Sequence, residues 1–455
     1  MTRRPRTDGG SEPDDGRDEG DAEMAPEDES VYRVVMDAAQ RSDLGLVLIT
    51  LAVVYAAATL LTFTDGLNSV VGLLRTLTFL GFVYALTALA LNLQWGYAGL
   101  FNIGVAGFMA VGVYTMGIVV RSPEPAFGPP GFGLPLPIGI IAGVAMAAIV
   151  GLIAALPALR LRADYLAIVT LGFSEIIRLT LQSSAFDTFL RESIGVGTGG
   201  GRGMGMPSNP VRELFLIDGR AGDPTALGSA VFGVLGDGGV GISHTILIGW
   251  AYVFVLGGFL VGFYVLLERL GRSPFGRTLK AIREDELVAD SLGKNVDLIK
   301  IKTFAIGCAL MGLAGILWFG SQGNVSPTPQ FMPLLTFYVF VAVIIGGAGS
   351  NTGAVLGGIV FATILFEGPR RVGSTIRGAI DAPTPPSFAD AVASLDPIAF
   401  LAFATDNIAP LQFVFLGLVL IFIMHRRPDG LLGHRMESAA AVDPAHRPTG
   451  GDDDE

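Results

Sequence analysis

The sequence predicts an all-α, polytopic membrane protein of about ten transmembrane helices, with glycine-rich segments that are broken or re-entrant. Three observations support this fold class. Hydrophobic residues make up 51% of the chain and charged residues only 16%, against about 25% charged residues in soluble domains. Apolar runs of about 20 residues, the length of a transmembrane helix, recur along the chain. Glycine occurs 62 times, often inside those runs, where it allows membrane helices to approach closely.

The apolar runs define ten predicted spans. They are 44–63, 70–93, 104–120, 136–159, 164–183, 245–267, 303–320, 333–346, 353–367 and 410–425. The run from Val70 to Val120 is too long for one span, and its polar, glycine-rich middle from Gln94 to Asn102 marks a break. The eighth and ninth spans are short, which indicates tilted, broken or partly re-entrant segments. Three glycine pairs at i, i+4 spacing predict close helix packing: Gly139/Gly143, Gly258/Gly262 and Gly353/Gly357.

The two ends of the chain are acidic. Residues 1–30 hold eleven acidic side chains and four arginines, and residues 451–455 hold four acids. These tails account for the whole formal charge of −11, so the remainder lacks the basic surface of a nucleic-acid-binding protein. The Pro-, Gly- and Asp-rich N-terminal tail is expected to be disordered. Residues 31–43 carry apolar side chains at helical spacing, typical of an amphipathic helix on the membrane surface; a cytosolic extension of the first span is the alternative.

Several function classes lack the residues that they need. Cys308 is the only cysteine, which excludes an intramolecular disulfide and a cysteine-based metal site. The four histidines do not pair on one helix face within the predicted spans, so no metal site is predicted. The P-loop pattern G-x-x-x-x-G-K-[ST] does not occur. No catalytic residue and no cofactor are therefore expected, and no His or Asp cluster supports an integral-membrane enzyme.

The distribution of Lys and Arg predicts the orientation, because short cytoplasmic loops concentrate these residues. The loop 268–302 carries eight of them, and the turn 159–162 and the start of segment 426–455 carry two each. All three are therefore placed in the cytoplasm, together with both termini. Segments 184–243 and 368–409 then lie outside. Three arginines of the latter segment conflict with this placement: Arg370, Arg371 and Arg377.

The predicted organisation follows from these assignments. In chain order it is an acidic cytoplasmic tail (1–30), an interfacial helix (31–43), a first membrane half (44–183), an extracytoplasmic glycine-rich segment (184–243), a transmembrane helix (245–267), a cytoplasmic loop (268–302), further membrane helices (303–367), an extracytoplasmic segment (368–409), a last transmembrane helix (410–425) and an acidic cytoplasmic tail (426–455).

The loop 268–302 contains the most informative stretch, from Gly271 to Gly293. Read as a helix from Phe275, it carries apolar side chains among alternating charges: Leu279, Ile282, Leu287 and Leu292. A short amphipathic helix with apolar anchors and a charged rim suits a groove on another protein. The alternative is a solvated helix that only joins two spans.

The run from Ser273 to Trp318, which begins SPFGRTLKAIREDELVADSLG, resembles the coupling-loop region of branched-chain amino acid ABC transporter permeases of the LivM type. The stretch LRLRADYLAIVTLGFSEIIRL, from Leu159 to Leu179, resembles the central span of this family. Further stretches agree in the same order: Leu86 to Thr115, Val343 to Phe361 and Arg427 to Gly433. The resemblance implies ABC importer permease architecture. The acidic tails and the two long outer segments depart from the family pattern, which leaves their roles open.

The same resemblance implies partners and a coupling role. The partners are two cytosolic ABC ATPase subunits that bind the ATP, a second related permease subunit and an extracytoplasmic substrate-binding protein. Ten residues are assigned to ATPase coupling: Gly276, Arg277, Ala281, Ile282, Arg283, Glu284, Asp285, Glu286, Ala289 and Gly293. The small residues permit close approach, and the charged residues can pair across the interface.

Seven polar residues in or beside spans are candidates for the substrate path, because polar groups within a bilayer usually face a bundle interior or a cavity. They are Asn92, Gln94, Asn102, Tyr165, Thr170, Ser174 and Glu175. Glu175 and Arg178 are spaced i, i+3 and can pair on one helix face, so a self-contained ion pair is the alternative reading. A weak internal similarity relates Gly96-Tyr-Ala-Gly99 with Gly107 to Gly346-Gly-Ala-Gly349 with Gly357.

The leading functional prediction is a membrane permease subunit for branched-chain amino acids, located in the cell membrane with many passes. Two alternatives stay open. A permease of the same family could carry urea, amides or another small polar solute, because the sequence does not identify the solute. A stand-alone secondary transporter or channel would need ion-coupling carboxylates or histidines at mid-span, and only Glu175 fits that requirement.

Overall fold

The computed structural model describes residues 43–62, 66–125, 128–158, 163–207, 209–217, 223–236, 239–427 and 429–432. Residues 1–30, nearly all of the predicted interfacial helix, the basic turn 159–162 and most of the predicted tail 426–455 lie outside these residues. The chain divides into two compact units, Met1–Leu46 and Val47–Glu455. Of the first unit, only residues 43–46 are described, and they form the first turn of a helix. Apart from this turn, the described elements belong to the second unit.

The described chain is mainly helical. Its first elements are α1 (Asp43–Thr62), α2 (Leu67–Leu91), a π-helix (Asn92–Tyr97), α3 (Val105–Val120), α4 (Leu136–Ala158), α5 (Ala163–Gln182), α6 (Ser184–Ile194), a 3-10 helix (Gly200–Arg202), β1 (Met204–Gly205), α7 (Pro210–Phe215), α8 (Ala226–Leu235) and α9 (His244–Arg272). The later elements are α10 (Pro274–Glu284), α11 (Glu286–Ser291), α12 (Val296–Phe319), β2 (Asn324–Val325), α13 (Pro327–Gln330), α14 (Pro333–Gly346), α15 (Asn351–Val360), a second π-helix (Phe361–Glu367), α16 (Gly368–Ala379), α17 (Phe388–Ala393), α18 (Pro397–Asp406) and α19 (Ile408–Arg426).

The predicted polytopic helical fold is confirmed. Seven segments within the described residues are long and apolar enough to cross a membrane: Leu67–Tyr97, Leu136–Leu156, Tyr165–Gln182, His244–Arg272, Val296–Phe319, Pro327–Gly346 and Asn351–Ala379. The pair Pro397–Asp406 and Pro410–Arg426, bent by 86°, would make an eighth. Shorter apolar helices at Gly45–Leu60 and Val105–Val120 coincide with the first and third predicted spans. Each of the ten predicted spans therefore falls on one of these helices, although the first and third are short helices and the tenth belongs to a bent pair.

Burial shows where the core lies. In Leu67–Tyr97, 78% of the apolar stretch is buried, whereas only 28% of the apolar stretch in Tyr165–Gln182 is buried. A membrane helix that is apolar all round and buried is central to the bundle. The helices α2, α12 and α15 are therefore central, while α4, α5 and α9 each leave one face open. One continuous apolar core joins α2, α3, α12, α14 and α15.

Glycine allows several of these helices to touch backbone to backbone. A Cβ atom added to Gly112 of α3 would lie 2.5 Å from the carbonyl oxygen of Gly312 on α12. One added to Gly143 of α4 would lie 2.5 Å from the carbonyl oxygen of Gly112. The predicted packing role is therefore observed for Gly143, and Gly357 shows it again against α14 (2.0 Å from the Ala342 oxygen).

One predicted glycine pair does not pack in this way. Added Cβ atoms on Gly258 and Gly262 of α9 would meet no described atom within 4 Å. The two glycines lie on the open face of α9, so their spacing does not reflect helix packing inside the described chain.

The long run from Val70 to Val120 breaks where its polar residues predict. The helix α2 passes into the π-helix Asn92–Tyr97, and regular helix resumes only at Val105. Another interruption, at residues 347–350, separates α14 from α15. Beyond α15, the second π-helix and α16 continue the helical path to Ala379, past the predicted span end at residue 367.

Contacts sort the helix ends into two groups. At one end, Gly271 abuts Tyr97, and the amide of Leu431 donates to the carbonyl oxygen of Ile345 at 2.8 Å. The loop after α9, the break after α2 and the residues after α19 therefore share this end. At the opposite end, β1 pairs with β2, and Ser243 N donates to Asn68 Oδ1 at 2.8 Å. This grouping matches the alternation that the ten spans predict.

The two segments predicted to lie outside, 184–243 and 368–409, both contain short helices, and α16 at the start of the second continues the candidate span Asn351–Ala379. In the first, Asp187 of α6 accepts hydrogen bonds from the amides of Thr198 (2.7 Å) and Gly199 (2.8 Å), which fixes the glycine-rich stretch against α6. In the second, the three arginines that conflict with the orientation rule all have neighbouring partners. The pairs are Arg370 with Gln412, Arg371 with Glu367 and Arg377 with Asp406.

Candidate functional site

The helix α10 folds back against the end of α9. Ser273 caps it, because its hydroxyl accepts a hydrogen bond from Gly276 N at 3.3 Å, and Pro274 occupies the first helical turn. Leu279 and Ile282 are buried against the bundle. An added Cβ on Gly276 would lie 2.4 Å from two carbonyl oxygens of α9. Only glycine therefore permits this close approach, and α10 is fixed to the membrane helices.

Arg283, near the end of α10, contacts two helix breaks: the one that follows α2 and the one at residues 347–350, between α14 and α15. Its guanidinium donates a hydrogen bond to the carbonyl oxygen of Gly96 in the first π-helix. Cβ atoms added to Gly99 and Gly349 would lie 3.5 Å and 2.9 Å from the Arg283 side chain. On the same helix, the Lys280 ammonium lies 5.6 Å from the centre of the Tyr97 ring, a cation–π distance. The loop after α9 is therefore attached to the break that follows α2.

The helix α11 is separated from α10 by one extended residue and presents a different surface. Asp285 caps it by accepting from the amides of Leu287 (2.9 Å) and Val288 (3.1 Å). Leu287 and Leu292 are 78% and 73% exposed, and Val288 is 55% exposed. Glu286 forms an ion pair with Lys300 of α12 at 2.5 Å. An apolar face with an acidic rim is thus held out from the bundle.

The ten predicted coupling residues lie together at this end, on α10, α11 and the residues that flank α11. Three are buried: Gly276, Ile282 and Ala289. Seven are exposed: Arg277, Ala281, Arg283, Glu284, Asp285, Glu286 and Gly293. The single helix read from the sequence is two helices, so Leu279 and Ile282 face the bundle while Leu287 and Leu292 face outward.

A buried amide network joins the two helix breaks. Asn92 Nδ2 donates to Asn351 Oδ1 at 3.2 Å, and Asn92 Oδ1 accepts from Gly349 N at 2.8 Å. Asn351 Nδ2 in turn donates to Glu268 Oε2 at 3.0 Å, on the last turns of α9. Glu268 also pairs with Arg272. The ends of α2 and α9 and the start of α15 are therefore linked by side-chain hydrogen bonds.

A second buried network provides hydrogen-bond partners for the backbone in the break between α2 and α3. Gln94 Nε2 donates to the Phe304 carbonyl oxygen of α12, and Asn102 Nδ2 donates to Gln94 Oε1, both at 2.8 Å. Asn102 Oδ1 accepts from Gly104 N at 2.8 Å, and Thr170 Oγ1 accepts from Ile103 N at 2.9 Å. Non-helical backbone at membrane depth is tolerated only where such partners exist.

The seven predicted path residues fall into two groups. Five are buried around the α2–α3 break: Asn92, Gln94, Asn102, Thr170 and Ser174. Ser174 backs onto α3, because a Cβ on Gly107 would lie 2.7 Å from the Ser174 Cα. Tyr165 and Glu175 instead lie on the open face of α5, where Tyr165 is 60% exposed.

The ion pair on α5 extends to a neighbouring element. Arg178 Nε donates to Glu175 Oε2 at 2.9 Å, and Arg178 Nη1 donates to Gln182 Oε1 at 3.0 Å. The same nitrogen also contacts the Thr328 hydroxyl of α13. The Arg178 side chain is 12% exposed and the Glu175 side chain 34%. Arg178 therefore ties the C-terminal end of α5 to α13, and Glu175 faces a more open environment.

Sequence reasoning missed Asn351, the partner of Asn92, and Glu268, which accepts a hydrogen bond from Asn351. The weak internal similarity contains a usable signal, because its two segments meet in the fold. A Cβ added to Gly96 would lie 2.5 Å from Gly349 N. Within the described residues, no group of three or more His, Cys, Asp or Glu side chains could hold a metal ion.

The fold and the site define a class of protein: polytopic integral membrane proteins with interrupted helices, and discontinuous helices are typical of transporters. The family profile described as "Branched-chain amino acid transport system / permease component" matches residues 73–424, and the chain belongs to this family.

The relatives agree with this membership. The chain is 35% identical over 282 residues to the High-affinity branched-chain amino acid transport system permease protein LivM of Escherichia coli, covering 61% of this chain and 59% of that protein. It is 28% identical over 307 residues to the probable LivM permease of Methanocaldococcus jannaschii, covering 62% and 77%. The LivH permease of E. coli matches over 88 residues at 38% identity, which is 19% of this chain and 28% of that protein. No solved structure gives a significant match.

Proposed function

We propose that this chain is a transmembrane permease subunit of an ATP-driven ABC importer for branched-chain amino acids. Family membership and the names of the LivM relatives support the proposal. The match spans only 59% of the E. coli LivM sequence, so substrate and partners are proposed for this chain by analogy. In this proposal the protein crosses the cell membrane many times, performs no covalent chemistry and binds no nucleic acid.

The observation that carries the proposal is the double attachment of the loop after α9. Its helix α10 is fixed to both helix breaks through Arg283, while the exposed apolar side chains of α11 point away from the bundle. With this arrangement, the loop could receive movement from a partner through the exposed face of α11 and transmit it through α10 to the two helix breaks. The chain has no P-loop, so the free energy would come from ATP bound by two cytosolic ATPase subunits.

The face of α11 is the part proposed to enter a groove on an ATPase subunit. Leu287, Val288 and Leu292 would supply the apolar anchors. The acidic residues around them would pair with basic side chains of the partner. The orientation proposed for this arrangement places the loop 268–302 and both termini in the cytoplasm, which agrees with the concentration of Lys and Arg there.

The substrate path is proposed to run along the open face of α5. The open faces of α4 and α9 are lined with Ile, Leu, Val, Met and Phe, as expected for contact with lipid. The open face of α5 also carries Tyr165 and the Glu175–Arg178 pair. Polar groups in a membrane usually face a cavity or a protein partner, so this face fits a seam with a second, related permease subunit. The LivH match is consistent with such a partner.

The test is uptake into vesicles that contain the permease pair and both ATPase subunits, with a binding protein supplied outside. ATP-dependent uptake of leucine, isoleucine or valine is expected. A complex with a P-loop lysine variant of the ATPases serves as the matched control. ATP-dependent uptake of urea or amides alone would replace the substrate in the proposal, and ATP-independent uptake would overturn the importer mechanism itself.

A further inference from the structure

Residues 388–406 form a helical hairpin that joins the N-terminal end of α19. The helix α18 is bent by 86° from α19, so it runs across the direction of the span. The Phe388 ring of α17 contacts Phe400 and Phe403 of α18, each at 6.2 Å between ring centres. The hairpin is thus held together by aromatic contacts, and α18 runs across the direction of α19.

The outward surface of this hairpin is apolar. Five large apolar side chains are between 42% and 89% exposed: Phe388, Val392, Leu395, Ile398 and Phe400. Leu395, at the tip, is the most exposed of them and has a φ of +48°, a conformation that residues other than glycine rarely adopt. No Lys or Arg occurs between residues 378 and 425. An exposed apolar patch of this kind marks an interaction site.

The aspartates of the hairpin are engaged within the protein. Asp390 accepts from the Ser387 hydroxyl at 2.7 Å, and Asp396 caps α18 by accepting from Ile398 N at 2.9 Å. Asp406 is paired with Arg377 at 3.0 Å. The charges are therefore used in local caps and pairs, and the apolar side chains are what the hairpin offers to its surroundings.

A cavity behind α18 shows where the hairpin lies along the neighbouring helices. Its volume is about 590 Å³, and its walls include Ala58 of α1, Leu73 and Leu77 of α2, and Leu401 and Ala404 of α18. With a rise of about 1.5 Å per residue, these α1 and α2 side chains lie roughly 5–15 Å inside the adjacent helix ends. Interfacial helices bury their apolar face about 5–10 Å into the headgroup boundary. The helix α18 thus lies beside α1 and α2, roughly 5–15 Å inside their adjacent ends.

The lining of this cavity suits an apolar occupant. Thr363 and Thr405 donate to carbonyl oxygens of their own helices, at 2.6 and 2.9 Å. Gln412 Nε2 donates to the Phe366 carbonyl oxygen at 2.8 Å, and Arg371 pairs with Glu367 at 2.9 Å. The remaining lining residues are aliphatic, aromatic, glycine or proline. The hydrogen-bonding groups of the walls are thus directed to the protein, and the cavity presents hydrocarbon.

We propose that residues 388–406 form an in-plane membrane anchor and that the cavity behind it holds an acyl chain of a phospholipid. The partner of this surface is the bilayer, because α18 shares the cavity wall with membrane-spanning helices. Hydrophobic burial alone would supply the affinity, since the hairpin brings no basic side chain for the headgroups. The proposal is independent of the transported solute.

Spin-label accessibility measures the depth of the anchor. The chain has one cysteine, the fully buried Cys308, so a label added to Leu395→Cys in liposomes reports that position alone. Its ratio of oxygen to nickel-chelate accessibility should match that of Val414→Cys, which is 59% exposed on α19. Glu124→Cys, in an exposed loop, gives the aqueous reference. A ratio at Leu395 equal to that at Glu124 would overturn the anchor.

Native mass spectrometry tests the bound chain. Protein purified without added lipid should retain a phospholipid, and filling the cavity from opposite walls with Ala404→Phe or Ala57→Phe should remove it. Ala145→Phe, on the open face of α4, is the matched control and should retain the lipid. If Ala404→Phe does not give a monodisperse protein, Ala57→Phe decides. Equal retention in all variants, or no phospholipid in the unchanged protein, would refute the occupied cavity.

Discussion

The guanidinium of Arg283 donates a hydrogen bond to the carbonyl oxygen of Gly96, so a helix of the loop after α9 is tied directly to the break in α2. The same side chain lies against Gly349, whose amide donates to Asn92 Oδ1 at 2.8 Å. One arginine therefore touches both interrupted helices. A displacement of α10 must either carry these two breaks with it or lose the contacts of Arg283.

Arg283→Gln should uncouple ATP hydrolysis from transport while the ATPase subunits stay bound. Hydrogen bonds to charged groups contribute about 1.5–3 kcal/mol, and 1.4 kcal/mol corresponds to a factor of about 10. Uptake per ATP hydrolysed should therefore fall about tenfold or more. The measurements are ATPase capture, ATP hydrolysis and uptake on one reconstituted preparation. Arg269→Gln, an exposed arginine on α9 outside the site, should change none of them. Loss of the ATPase subunits from the Arg283 variant would show that Arg283 faces the partner instead.

Leu287→Asp and Leu292→Asp, in contrast to Arg283→Gln, should release the ATPase subunits from the permease. Both leucines are more than 70% exposed on the α11 face, so the permease should fold normally but lose its ATPase partners. Pull-down from detergent extracts, with size-exclusion chromatography of the permease alone, measures the two effects separately. Leu214→Asp, 58% exposed at the other end of the bundle, is the control. Full capture by both Asp variants would exclude this face as the docking surface.

The division of the loop into α10 and α11 could have been found in the sequence, but only in part. Asp285 is followed by a short apolar run, and Asp is a preferred N-cap residue. Its extended backbone, with φ −155° and ψ 110°, starts a new helix and reverses the exposed face. A single helical periodicity across Asp285 instead groups Ile282 with Leu287. Apolar spacing thus predicts helices well but does not show where one helix ends and the next begins.

Gly357→Ala should destabilise the protein, whereas Gly258→Ala should be nearly neutral. A Cβ on Gly357 would lie 2.0 Å from the Ala342 carbonyl oxygen, while one on Gly258 would meet no described atom within 4 Å. Overpacking a well-packed site costs about 1–3 kcal/mol, because the backbones must separate. Thermal unfolding of both variants in the same detergent provides the comparison. Equal unfolding temperatures would mean that α14 and α15 do not pack as described.

Asn92→Ala and Asn351→Ala should each lower stability, and their effects should not add. The two amides are hydrogen-bonded to each other and are 0% and 4% exposed, so either change leaves a buried partner unsatisfied, at about 1–3 kcal/mol. In a double-mutant cycle, the second change should cost less than it does alone. Additive losses would show that the two side chains act independently. Thr180→Val, at an exposed position on α5, controls for general polar loss.

The pairing of Asn92 with Asn351 illustrates what a single sequence leaves undetermined. The two residues are 259 positions apart, and neither lies in a pattern with a fixed partner. The polar break between α2 and α3 was predictable, because polar and glycine residues interrupt an apolar run. Which distant carbonyl or amide satisfies each broken position depends on helix packing, and periodicity does not encode that packing. Only the three-dimensional structure therefore shows that the predicted path residues form two groups, one in a buried network and one on the open face of α5.

Glu175→Gln should reduce transport with little loss of stability. The Glu175 side chain is 34% exposed, and partly exposed ion pairs contribute about 1 kcal/mol or less. Arg178 keeps its contacts with Gln182 and Thr328 after the change, so the C-terminal end of α5 stays attached to α13. The unfolding temperature should therefore shift by only a few degrees, while uptake falls or its solute preference changes. Glu192→Gln, an exposed charge on α6, should leave both unchanged.

If the unfolding temperature of the Glu175 variant drops sharply while specific uptake per folded protein is unaltered, the pair is structural and the path does not follow this face. Unaltered values for both would place the path elsewhere as well, because a carboxylate that lines a path for a zwitterionic solute cannot lose its charge without a change in transport.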